Sequence, residues 1–259
     1  MIEYTSTAKD GARWLGRAER QVPYATSLAL NRTAAAIQKA ITELMPQVFD
    51  RPTPYTLRSL RTDRATKQRL SATVGFKDFA GKGTAANRYL LPQVEGGGRR
   101  QKRFESALGR IGPSGYYIPA GGAEQDAYGN MSRGQVVRLM SYLQAFGEQG
   151  YRANSTEKSR ARTAKMGLGE GGYRRINGVV YFISRGKGAV SGNRTQHLPA
   201  GVWRKTGTHG ADVAPVLLQV DSVQYERRLP FYETADEIYG RRFEDEFTQA
   251  FDQAIATAR

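Results

Sequence analysis

The sequence predicts an α+β protein: a mixed or antiparallel sheet packed by an N-terminal helix pair and a long C-terminal helix, with a helical, Gly/Arg-rich insertion between them. Three observations carry this expectation. The N-terminal region shows Ala/Leu periodicity of helical type, broken by prolines. Short Val, Thr and Tyr runs punctuated by glycine fill the middle. A stripe of Phe at helical spacing closes the chain.

The elements follow in order. Residues 8–20 place Ala8, Ala12, Leu15 and Ala18 on one side of a helix, with Trp14 beside them. Val22-Pro23 then interrupts, because proline has no N–H to donate and is best tolerated in the first turn of a new helix. That second helix runs to about Met45, with Tyr24, Leu28, Ala29, Ala35, Ala36, Ala40, Ile41 and Leu44 on a broad apolar face. Pro46, Pro52 and Pro54 end it. Residues 57–64 and 70–76 read as strands. Short helices are expected at 85–94 and 101–111, a strand at Tyr116-Tyr117-Ile118, and a helix from Ser132, an N-cap residue, to Phe146.

Asn177-Gly178, set between β-formers from Tyr173 to Ile183, is a type I′ hairpin turn signal, since both central residues need φ > 0. Strands at 202–204 and 213–220 complete the expected sheet. The last helix, from Phe231 to Ala258, carries Phe231, Ala235, Ile238, Phe243, Phe247, Phe251 and Ile255 as one stripe. Of these, Phe243, Phe247 and Phe251 are the expected packing or interface residues. The organisation read from the chain is a core formed by residues 1–84 and 171–259, with 85–170 as the insertion. There is no internal repeat.

Charge divides the chain unevenly. Lys and Arg number 39 against 24 Asp and Glu, a net of +15. Residues 150–210 hold twelve basic and two acidic side chains, whereas residues 221–259 hold five basic and nine acidic ones. A basic middle attracts polyanions or acidic protein faces through long-range fields that carry no sequence information of their own. The expected DNA or partner contacts are Arg99, Arg100, Lys102 and Arg103 in one Gly-rich loop, and Lys158, Arg160, Arg162 and Lys165 in a polar stretch.

Chemistry finds little to stand on. Cysteine is absent, which removes disulfides, thiolate metal sites and thiol nucleophiles. The two histidines, His197 and His209, have no metal-ligand spacing. Gly167-Leu168-Gly169-Glu170-Gly171-Gly172 and Gly81-Lys82-Gly83-Thr84 resemble phosphate loops only in fragments, and no apolar strand precedes either. Asp236, Glu237, Glu244, Asp245 and Glu246 cluster on the helix with the Phe stripe, where charges ordinarily fill the solvated face. No catalytic residue, cofactor or metal is expected. With no apolar run near the ~20 residues a membrane helix needs and no secretory leader pattern at Met1, a soluble, cytoplasmically made protein is expected.

The order of several segments carries a resemblance. Val22-Pro23-Tyr24-Ala25-Thr26-Ser27-Leu28-Ala29-Leu30-Asn31-Arg32-Thr33-Ala34 resembles the opening of the prophage minor tail protein Z family, also described as tail-completion proteins. Pro215-Val216-Leu217, a basic break, then Phe231-Tyr232 and a helix with Arg241-Arg242-Phe243 and Phe247 are similar to that family's closing strand and helix. The segment from Asp126 to Gln135 resembles one in longer phage-encoded relatives. The resemblance implies a virion protein of the head–tail junction, made in the host cytoplasm, that assembles as a homo-oligomeric ring. Its implied partners are the portal or adaptor side and the tail-tube side, with genomic DNA as a further contact for the basic loops, and it implies no reaction. A free nucleic-acid-binding protein of packaging or replication is the alternative that the charge alone would support.

Overall fold

The computed structural model describes residues 8–81, 83–143, 175–176, 179–191, 194–206 and 212–257. The fold is α+β, and it divides into two compact units. Met1–Gly97 with Tyr225–Arg259 form the first, and Gly98–Gln224 the second. The chain passes between them at the two short strands β3 (Gly97–Gly98) and β11 (Gln224–Tyr225). The insertion expected at 85–170 overlaps both units.

In the first unit, a single helix α1 spans Ala8–Val48, with Pro23 and Pro46 inside it. The expected break at Val22-Pro23 does not occur. Interior proline costs about 3 kcal/mol through a lost hydrogen bond and a clash with the preceding turn. Here buried Ala18 and Ala25 flank Pro23 and hold both sides of it against the rest of the unit. The Thr26 hydroxyl also donates to Val22 O at 2.8 Å, an additional bond in the turn after the proline. Helix α1 ends ahead of Arg51, whose φ of 45° is left-handed and incompatible with continuing the helix.

The short helix α2 (Pro54–Leu57) is capped by the Thr53 hydroxyl, which accepts from Thr56 N at 3.2 Å. It occupies the start of what had read as a strand. Strands β1 (Leu60–Asp63) and β2 (Thr73–Phe76) then pair antiparallel, Leu60 opposite Phe76. Helix α3 (Asn87–Glu95) buries Leu90 and Val94. The closing helix α6 covers Phe231–Thr257. It runs antiparallel to α1: Ile37 shares a groove with Phe231 and Ala235, while Arg32 reaches Glu246. Ile37, Ile41, Met45, Leu60, Val94, Leu229 and Phe231 form the core.

The second unit is built on a five-stranded antiparallel sheet in the order β4 (Tyr116–Pro119), β10 (Asp212–Val220), β9 (Gly201–Thr206), β6 (Val179–Ser184), β5 (Arg175–Ile176). The strands expected at 57–76 are not part of it; they form the separate two-stranded ribbon of the first unit. The expected single sheet is therefore two. Strands β5 and β6 pair as the hairpin signal required, although Asn177 and Gly178 themselves lie outside the described residues. Strands β7 (Val190–Ser191) and β8 (Arg194–Thr195) form a second small ribbon.

Pro215 sits inside the interior strand β10, where a missing N–H would normally break a ladder. The register shifts there, between Pro215 and Leu217, so the proline falls at an irregularity that tolerates it. Gly201, opposite Leu218 one pair beyond this shift, has φ of 151°, and a Cβ there would collide with Leu217 O. Helices α4 (Arg103–Leu108) and α5 (Arg133–Tyr142) cover the sheet, joining Leu108, Leu139 and Met140 to Tyr117, Val202, Val216 and Leu217. Ser132 precedes α5 but makes no side-chain capping bond.

Candidate interaction surfaces

The basic loop at 99–103 separates into two kinds of residue. Arg99 turns inward. Its side chain is only 11% exposed, and its guanidinium donates to both oxygens of the fully buried Glu105 carboxylate, at 2.5 and 2.7 Å. Two further donors converge on that carboxylate: Lys102 N at 2.6 Å and Tyr117 N at 3.1 Å. Arg99 also lies over the Tyr116 ring, 5.0 Å from its centroid, and its carbonyl accepts from Tyr116 Oη at 2.8 Å. Arg100, Lys102 and Arg103 are exposed.

This arrangement is a fold element made of charge. Burial pushes the Glu105 carboxyl up, but the Arg99 hydrogen bonds, the two backbone N–H donors and the Arg99 charge outweigh it and hold the group below its ordinary 4.5. Tyr117 is pushed up to about 12 by burial and then by the Glu105 charge, and its hydroxyl donates to Pro113 O at 2.6 Å. Glu105 was not singled out in the sequence. The signal available was its place three residues after Lys102 at a helix start, where a carboxylate reaches back to the backbone.

Lys158, Arg160, Arg162 and Lys165 lie outside the described residues, as do Gly167–Gly172 and His209. The segment from Asp126 to Gln135 is a local construction: Asp126 Oδ1 accepts from Tyr128 N and Asn130 N, both at 2.9 Å, and buried Gln135 accepts from Glu124 N at 2.7 Å. Among the described residues no group of three or more His, Cys, Asp or Glu could hold a metal ion, and none of the described helices is long and apolar enough to cross a membrane.

The Phe stripe of α6 differs from its expected form. Phe243, Phe247 and Phe251 are half-buried, and the residues of this half of the helix that disappear into the contact are Ala250 and Ala254. On α1 the buried row is Ala18, Ala25, Ala29, Ala34, Ile37, Ile41 and Met45; Ala35 and Leu15, expected on the packing face, are exposed. Small residues thus let the two helix backbones approach, and the larger rings are left beside the seam. There they stack on one another: Tyr239–Phe243 at 4.9 Å, Phe243–Phe247 at 6.4 Å and Phe247–Phe251 at 5.9 Å, all within 26° of parallel.

The ladder continues a groove. Leu30, Thr33 and Ile37 of α1, Val74 of β2, and Tyr232 and Tyr239 of α6 are among the residues lining a depression of about 240 Å³. Tyr239 is both part of its wall and the first ring of the ladder. On its lining, the Thr33 hydroxyl is buried with no hydrogen-bond partner. Such a volume falls below the 300–1,000 Å³ typical of small-molecule sites and suits a few inserted side chains instead.

A second basic patch lies in the first unit. The β1–β2 ribbon and its flanks hold Arg58, Arg61, Arg64, Lys67 and Arg69 against Asp63, all exposed. Arg61 pairs with Asp78 at 2.9 Å and Lys67 lies 4.9 Å from the Tyr24 ring centroid. Beside them Phe79 is 78% exposed, the most exposed of the large apolar side chains described. The spacing of basic residues over 58–69 was the available signal, masked by the richer charge of the middle. No family model matches the chain, and neither a curated protein nor a solved structure does.

Proposed function

We propose that the protein is a structural component of a bacteriophage head–tail junction, which acts by assembling with copies of itself and with neighbouring neck or tail proteins and not by turnover. The observation that carries the reading is the ordered set of segments, Val22–Ala34 at one end and Pro215–Phe247 at the other, that resembles the minor tail protein Z family. The structure adds support of a general kind: a half-open aromatic ladder and groove in the first unit are features of a surface that receives protein side chains. The test is imaging of particles made with and without this protein. Loss of tail attachment in its absence, with labelled copies at the neck of complete particles, is the expected result; complete, infectious particles without it overturn the reading.

The alternative is a free nucleic-acid-binding protein. One observation favours it: residues Gly98–Gln224 carry 19 Lys and Arg against 8 Asp and Glu, a net of +11, whereas the rest of the chain carries 20 against 16, a net of +4. Binding of purified protein to duplex DNA that falls steeply with salt, together with its absence from particles, would favour this reading.

A further inference from the structure

We infer that the groove and aromatic ladder of α6 receive the Phe79 loop of a second copy of this chain, making a head-to-tail contact. The inference deepens the assembly reading and rests on it, by naming the two faces through which copies would meet. Both faces belong to the first unit, so each is fixed by that unit's own packing.

The receiving face is apolar and edged with acid. Helix α6 holds seven acidic residues and two arginines. Asp236 lies three residues before Tyr239 and four after Tyr232, so it stands between the two groove tyrosines on the same side of the helix. Glu244 lies three residues before Phe247 and borders the ladder in the same way. Both acids are exposed.

The entering face is apolar and edged with base. Phe79 follows β2 and stands 78% exposed. Lys77, two residues before Phe79, donates from N to Ser59 O at 2.7 Å and from Nζ to Arg58 O at 2.7 Å, so Arg58 and Lys77 are neighbours at the start of the Phe79 loop. Asp78, next to the ring, is paired with Arg61 at 2.9 Å, which leaves Arg58 and Lys77 as the net positive charge of this face, against Asp236 and Glu244 on the receiving one; the two faces are complementary in sign. Because the two faces differ, one copy offers both to different neighbours, and repetition closes a ring or extends a filament. A second copy is the occupant because the same chain supplies the complementary knob.

The experiment is sedimentation of the purified full chain over a range of concentration and salt. Wild-type protein should self-associate, more weakly as salt rises. Phe79→Ser, an exposed position, should weaken association by about tenfold or more with an unchanged Tm. The double variants Arg58→Glu/Lys77→Glu and Asp236→Lys/Glu244→Lys should each be monomeric alone, since each sets like charge against like charge. Mixed in equal amounts, they should associate again, because every contact then joins opposite signs. Wild-type protein that stays monomeric, Phe79→Ser protein that associates like wild type, or mixed variants that remain monomeric would each overturn the contact. Particle imaging separates this from the assembly reading. Copies at the neck of particles carrying the Asp236→Lys/Glu244→Lys protein overturn the contact alone, while wild-type particles without the protein overturn the reading.

Discussion

The α1–α6 pair and the Arg99–Glu105 cluster solve the problem of burial with opposite materials. In the helix pair alanines are among the most deeply buried residues, Ala25 and Ala29 on one helix and Ala250 and Ala254 on the other, and the aromatic rings stay half out. In the second unit a carboxylate with no exposed surface is held by four donated hydrogen bonds from Arg99, Lys102 N and Tyr117 N. The lesson is that residue type misleads in both directions. The large apolar side chains of α6 mark a face left available, and the first cation of a basic loop marks an interior joint.

The largest effect should come from breaking that joint. Glu105→Ala leaves the Arg99 guanidinium without its partner in a mostly buried site, and loss of one member of a buried pair costs about 3–5 kcal/mol. Arg99→Ala should cost about as much, by stranding the carboxylate. Thermal unfolding would show this as a lowered Tm for either variant; a Tm within a degree or two of wild type would remove the cluster from the list of fold determinants. The same cluster sets a pH dependence. Glu105 titrates lower when folded than its ordinary 4.5, so its stabilisation is present above that value and is lost as pH falls through the folded pKa. Tyr117 titrates higher when folded, so its share is intact below the ordinary 10 and is lost as pH rises toward about 12. Stability of the second unit measured across pH should therefore decline at both extremes, and Glu105→Gln should flatten the acid side.

Next in size is the backbone of the sheet. Gly201→Ala forces a side chain into a left-handed φ and against Leu217 O, with strain and overpacking each of about 1–3 kcal/mol. A variant as stable as wild type would show that β9 and β10 can shift apart at the irregularity beside Pro215.

The helix pair gives a smaller and more discriminating result. Ala250→Leu adds bulk at a position with no exposed surface and should destabilise by about 1–3 kcal/mol. Phe247→Ala, at a half-buried ring, should cost about half of the 3–5 kcal/mol expected of a fully buried one. If Phe247→Ala proves the more damaging of the two, the ladder and not the alanine seam holds the helices together. Smallest of all, Arg100→Ala and Arg103→Ala should each stay within about 0.5 kcal/mol of wild type. Their contribution would be read in salt-dependent association with DNA or partner protein, where loss of each phosphate-contacting cation lowers the salt slope by about one.

Much of the local structure was legible. Helical periodicity located α1, α5 and α6, short helices were expected near α3 and α4, and the Asn-Gly pair located the β5–β6 hairpin, because spacing and turn chemistry act over a few residues. The continuity of α1 through Pro23 was not legible. The proline's local preference is to start a helix, and only burial of Ala18 and Ala25 on either side overrides it. Nor was the rotation of the packing face. Choosing Ala34 over Ala35 as the buried position depends on where α6 lies, and nothing in α1's own sequence says so. Within the candidate surfaces, Arg99 and Arg100 are adjacent and chemically identical, yet one is an ion pair and the other solvated. The difference arises from Glu105 and Tyr117, six and eighteen residues from Arg99, meeting it in the fold.

What the sequence by itself determined is the α+β class, the helical ends, the uneven charge and the lack of cysteine chemistry, since each is a property of composition or of neighbours along the chain. Tertiary structure decided that the strands at 60–76 pair apart from the five-stranded sheet, that Phe243, Phe247 and Phe251 stand beside their helix contact, and that a basic ribbon at 58–69 borders an exposed Phe79. Those outcomes depend on which surfaces pack together over long sequence separations. A small side chain wins a helix contact only when a second helix comes close enough to need the space, and a charge is tolerated inside only when distant donors arrive to meet it.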